Sequence, residues 1–104
     1  MFQVRQGDIY IRSINAIPAE AKPVAPVGGR AVLAYGEATG HAHAITKDQA
    51  QLFAANDNLF LRVVEGGATL FHEEHDRINI PAGDYQVIRQ REYDDIEEFR
   101  MVVD

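Results

Sequence analysis

The sequence predicts one all-β domain, mainly antiparallel, built as a small sandwich or barrel with at most one short helix. Three observations carry that reading. Ile9–Arg12, Leu59–Val64 and Asp84–Ile88 are patterned with period two, the repeat of a strand with one face buried. Glycine, proline and asparagine turn signals recur about every eight to twelve residues, as in sandwiches and small barrels. The chain has 104 residues, enough for one core and not for two.

The elements follow in order. Gln6-Gly7-Asp8 reads as a turn, and Ile9-Tyr10-Ile11-Arg12 as a short half-buried strand. The stretch Ile17–Gly29 holds three of the four prolines, which fix φ and remove ladder donors. It is an extended arm packed on the sheet. Arg30–Tyr35 is a strand, followed by a glycine-bracketed loop, Gly36–Gly40, and then His41-Ala42-His43-Ala44-Ile45. Lys47–Ala55 is open between one or two turns of helix and a strand around Leu52-Phe53. Asn56-Asp57-Asn58 marks a turn. Leu59–Val64 is a strand ended by Gly66-Gly67, and Ala68–Phe71 starts another. Ile78-Asn79-Ile80 runs into a tight reversal at Pro81-Ala82-Gly83. Asp84–Tyr93 is a long strand candidate, Asp94–Glu98 an acidic stretch, and Phe99–Val103 a closing strand. The expected core is Ile9, Ile11, Val32, Leu33, Leu61, Val63, Leu70, Ile78, Ile80, Val87 and Val102.

Composition excludes several classes. The formal net charge of −6 disfavours nonspecific nucleic-acid binding, which needs clustered Lys and Arg to neutralise phosphates. It argues in the same direction against an anionic membrane surface. With no cysteine there is no disulfide, thiolate metal site or Cys nucleophile, which suits a reducing cytoplasm. No apolar run reaches membrane-helix length, and the first residues lack the apolar core of a signal peptide.

All four histidines fall in two tight pairs, His41-Ala42-His43 and His72-Glu73-Glu74-His75. Residues i and i+2 of a strand share a face, so His41 and His43 point the same way. His72 and His75 are three apart and would lie on opposite faces of a regular strand. They converge if the chain bends at Glu73-Glu74, and Asp76-Arg77 looks like such a bend. The spacing is one residue short of the metalloprotease His-Glu-x-x-His helix. Neutral imidazoles with carboxylates suit a divalent ion such as zinc, iron, nickel or manganese. Glu73, Glu74 and Asp76 would serve as extra ligands or as acceptors for an imidazole N–H. Two metal-free readings stand beside this one: a hydrogen-bonded His and Glu network in a ligand pocket, and acid–base chemistry by the same groups.

Other candidates are weaker. Arg89 and Arg91 share a strand face and would bind a carboxylate or phosphate, or pair with the acidic run from Glu92 to Glu98. Tyr85 and Tyr93 read as packing residues. Gly28-Gly29-Arg30 lacks the Lys-Ser/Thr and the helix of a phosphate loop. Neither Thr39 nor Thr46 sits in a nucleophile elbow, so Ser/His-type catalysis is discounted.

The string Gly36–His43, together with His72–Tyr93, resembles a family of small uncharacterised proteins from bacteria and bacteriophages. That family carries Gly-His-x-His, His-Glu-Glu-His and Arg-Gln-Arg-Glu-Tyr elements. The likeness covers most of the chain after Tyr35 and implies a phage or mobile-element origin, with no activity attached. His41-Ala42-His43 and Pro81-Ala82-Gly83 also resemble, in type, the His-x-His strand and Pro-x-Gly turn of cupins. Here no Glu follows His43 at the cupin distance and no His follows Gly83, so the likeness extends to architecture only.

Two functional classes emerge. In the first, His41, His43, His72 and His75 surround one divalent ion. Four ligands would make the site closed and structural, and three would leave a position open for water. In the second, the chain is a noncatalytic accessory protein that binds a host protein or self-associates. Clustering of every histidine favours the first. Small size, acidity and the absence of a complete catalytic motif favour the second.

Overall fold

The structure is a computed structural model that describes residues 2–36 and 40–89. Thr39, Arg91, Tyr93, the acidic stretch Asp94–Glu98, and the closing strand with Val102 lie outside the described residues. Among the described residues there are ten strands and no helix: β1 (Gln3–Gln6), β2 (Ile9–Ser13), β3 (Lys22–Val24), β4 (Arg30–Tyr35), β5 (Ala42–Thr46), β6 (Ala50–Ala55), β7 (Asn58–Val63), β8 (Ala68–His72), β9 (His75–Ile80) and β10 (Gly83–Arg89). With no helix there, none is long and apolar enough to cross a membrane.

The strands form two antiparallel sheets. One has the order β1-β2-β10-β7-β6-β3 and the other β4-β5-β8-β9. Their inner faces share one apolar core. Ile9, Ile11, Leu52, Leu61, Val63 and Val87 come from the first sheet, and Leu33, Ile45, Leu70 and Ile80 from the second. The all-β reading and most of the expected core hold.

Three details settle or differ from the sequence reading. Residues 47–49 form a turn closed by the Gln49 N–H donating to Thr46 O, and β6 follows as a strand. Period-two burial settles that segment, because Ala50 and Leu52 are buried on either side of exposed Gln51. The Asn56-Asp57 loop supplies the geometry: both residues have positive φ, 50° and 67°, which a two-residue hairpin turn of the mirror-image type requires. Second, Val32 and Leu33 are neighbours, and a regular strand cannot send both inward. A bulge at Leu33, between the pairs Val32↔Ala44 and Ala34↔His43, buries Leu33 and Ala34. Val32 is left half-buried outside the core cluster. Ile78 is only partly buried, though packed against the core. Third, the N-terminal residues form a strand, β1, and the proline-rich arm contributes β3 along β6. Pro23 is accommodated there because β3 is an edge strand.

Candidate functional site

Strand register brings the two histidine pairs together. Ala44 of β5 stands opposite Phe71 of β8, and the same register continued by one residue sets His43 against His72. Their ring centroids are 4.3 Å apart. His72 and His75 are Cα partners across the β8–β9 hairpin, whose two-residue loop is Glu73-Glu74, and their rings lie 4.7 Å apart. Three histidines thus form a row across three adjacent strands. His41, two residues before His43, meets His72 edge-on at 5.8 Å. The row continues the inner face beyond Ile45 and Leu70, at the polar end of the core.

The bend at Glu73-Glu74 is the hairpin turn itself. Asp76-Arg77 acts differently: these two residues stand opposite the single residue Phe71, forming a bulge in β9. Without it His75 and Ile78, three apart, would face opposite sides. The bulge lets both point inward while Arg77 points out.

Hydrogen bonds assign the ring nitrogens. Gln6 is buried in the cluster, and its amide Nε2 donates to Leu70 O at 3.2 Å and to Asp76 O at 2.9 Å. Its Oε1 can therefore only accept, and His43 Nδ1–H donates to it at 2.8 Å. In neutral His43 the lone pair is then on Nε2, which lies 3.1 Å from Asp8 Oδ1. Asp8 Oδ1 accepts an Nε2–H there when the ring is protonated, and in the neutral ring the two lone pairs face each other. His41 Nδ1 stands 3.1 Å from Glu74 Oε2, an ion pair when the ring is protonated. His72 is reversed: its Nδ1 accepts the Glu74 N–H at 3.0 Å, so its neutral ring carries the proton on Nε2. Glu73 Oε1 accepts the Ala42 N–H at 2.9 Å, and that donor holds its carboxyl below the usual carboxylate range. Glu73 and Glu74 thus orient the start of β5. Asp76 takes part through its carbonyl.

Burial pushes the His43 imidazole below its ordinary 6.5; His72 and, less strongly, His75 act in the same sense, and Asp8 opposes them. Between the lowered value and 6.5 the unfolded chain binds more protons than the folded one, so stability rises with pH. His43 therefore contributes stability that is complete above 6.5 and is lost as pH falls through its folded value. In metal-free protein the unfolding midpoint is expected to fall on acidification from about pH 7.5 to about 5, and less steeply in His43→Gln. Equal slopes in the two proteins would refute the assignment.

Two glycines wall the cluster. A Cβ on Gly7, whose φ is 59°, would come within 2.7 Å of His75 Nε2 and 3.1 Å of His43 Cε1. One on Gly36 would come within 3.1 Å of His72 Nε2. Sequence alone does not single out Gln6, Gly7 and Asp8, since they read as an ordinary turn. The available signal was the alternation Phe2, Val4, Gln6, which places a polar side chain at an inward position of β1. The rings cluster, but among the described residues no group of three or more His, Cys, Asp or Glu side chains is arranged to hold a metal ion.

No curated protein and no solved structure matches this chain. The family described as Domain of unknown function (DUF8820) matches residues 5–90, and the chain belongs to it. The matched span contains all four histidines together with Gln6, Gly7 and Asp8.

Proposed function

We propose that this member of the family binds one divalent first-row transition ion at the histidine end of the sandwich, and that the ion staples the two sheets together. The observation that carries the reading is the 3.1 Å approach of His43 Nε2 to Asp8 Oδ1, with the His43 proton held on the opposite nitrogen by Gln6. Two ligand atoms each about 2.0–2.2 Å from a common ion lie roughly 3 Å apart. A cation between them replaces lone-pair repulsion with two bonds. Asp8 comes from the β1–β2 turn of one sheet and His43 from β5 of the other, so coordination would cross-link the sheets.

His75 is exposed and lies beside Gly7, and rotation of its side chain brings a third donor to the ion. His41, oriented by Glu74, supplies a fourth. His72 would have to release the Glu74 N–H to coordinate, and it serves better as the ring packed behind His43. Imidazole and carboxylate donors suit zinc, iron, nickel or manganese.

The test uses untagged protein stripped on chelating resin and titrated with zinc. About one ion per chain is expected, with a rise in melting temperature, since a ligand at 100 times its Kd adds about 2.7 kcal/mol. His43→Ala and Asp8→Asn should each weaken binding at least about tenfold, and acidification through the histidine range should release the ion. Zinc binding of unchanged affinity and stoichiometry in His43→Ala would overturn the proposal.

A further inference from the structure

The outward face of the four-stranded sheet carries a groove unrelated to the histidines. A depression of about 300 Å³ is lined by Arg30, Thr46, Gln49, Thr69, Phe71 and Arg77, with Ala44 as its floor. Alternation puts these side chains together. Arg30 and Thr46 are Cα partners, as are Ala44 and Phe71, and the β9 bulge turns Arg77 outward over Phe71. The Arg77 guanidinium lies 5.1 Å from the Phe71 ring centroid, a cation–π contact that holds it above the sheet.

The polar groups there are mainly donors. Neither Arg30 nor Arg77 forms an ion pair with a described residue. Gln49 Oε1 accepts the Thr69 N–H, which leaves its amide NH₂ to donate. Thr46 adds a hydroxyl. Two guanidinium groups with no ion pair to a described residue thus stand at one depression in a chain of net charge −6. A second depression, of about 420 Å³, runs on past Gly66, Gly67 and Asn79, and it shares Gln49 and Thr69 as a common wall.

We infer that this groove binds a small elongated ligand through an oxyanion, phosphate or carboxylate, seated between Arg30 and Arg77, with the ligand body lying toward Gly66-Gly67. Guanidinium forks match both oxyanions with paired N–H donors, and Thr46 and Gln49 complete the donor set. The inference is independent of the metal site.

The test is a ¹H–¹⁵N NMR titration of the metal-free full chain with inorganic phosphate and, separately, with succinate, each against chloride at matched ionic strength. Saturable shifts are expected at Ala44, Thr46, Thr69 and Phe71 and at the Arg77 Nε–H. The double variant Arg30→Gln/Arg77→Gln should bind at least about tenfold more weakly, because charge-assisted pairs are lost. Arg30→Lys/Arg77→Lys keeps the charge without the fork and should fall between, giving a second reading should the first variant fold poorly. Arg12→Gln, at an exposed arginine of the six-stranded sheet, should bind as wild type, which separates this groove from general surface charge. Response to phosphate alone, or to succinate alone, identifies the oxyanion. No saturable shift beyond the chloride control, or undiminished binding in both arginine variants, would overturn the inference.

Discussion

Gln6→Leu is expected to weaken zinc binding about 10–100-fold and to destabilise the metal-free protein by about 2–5 kcal/mol. The first effect follows from the His43 tautomer. With Oε1 of Gln6 gone, nothing holds the proton on Nδ1, and the neutral ring gains by placing it on Nε2, where Asp8 accepts it. The lone pair then points away from Asp8. The second effect follows from the three hydrogen bonds of the Gln6 amide, which satisfy His43 Nδ1–H and the carbonyls of Leu70 and Asp76. Those carbonyls lie beside the β9 bulge, where the β8–β9 register is interrupted. A buried group left without its partner costs about 1–3 kcal/mol. Histidine ¹⁵N shifts read the tautomer directly: Nδ1–H in the wild type and Nε2–H in the variant. The same tautomer in both would remove Gln6 from the argument, whatever happened to stability.

Leu61→Ala is expected to destabilise the domain by about 2–5 kcal/mol, a large share of the roughly 5–15 kcal/mol that holds a domain this size folded. Leu61 has no exposed surface, and its Cα partners are Leu52 on β6 and Tyr85 on β10, at the middle of the six-stranded sheet. No neighbour collapses easily into the void, because each is itself held in a ladder. The adjacent residue supplies the control. Arg62 points outward, and its Nε donates to Asp84 Oδ1 at 3.0 Å in a pair whose arginine side chain is 53% exposed. Arg62→Ala should shift stability by less than about 1 kcal/mol. Similar urea midpoints for the two variants would show that the inward and outward faces of β7 are assigned wrongly.

The inward and outward faces were legible wherever one strand's own alternation carries the information. Ile9 and Ile11, Leu61 and Val63, and the Asn56-Asp57 hairpin are local matters, and sequence alone determines them. The sharing of a face by His41 and His43 is of the same kind, since it needs only the two-residue repeat of a strand. Bulges are another matter. Val32 and Leu33 are equally apolar, and His75 and Ile78 are three apart, so a regular repeat misplaces one member of each pair. An extra residue in one strand is defined only against the strand it pairs with.

The same reason explains the rest of the site. The facing of His43 and His72 depends on the β5–β8 register, which joins segments about thirty residues apart, a separation whose closure cost changes only slowly with length and so leaves no local mark. Gln6, Asp8 and Gly7 reach the histidines from the opposite sheet, across the sandwich. Sequence by itself determined the all-β class, the faces of the regular strands and the pairing of every histidine. Tertiary structure decided which nitrogen of His43 carries its proton, which carboxylate faces it and which arginines are turned outward, because each of these is set by contacts between strands that the chain brings together only by folding.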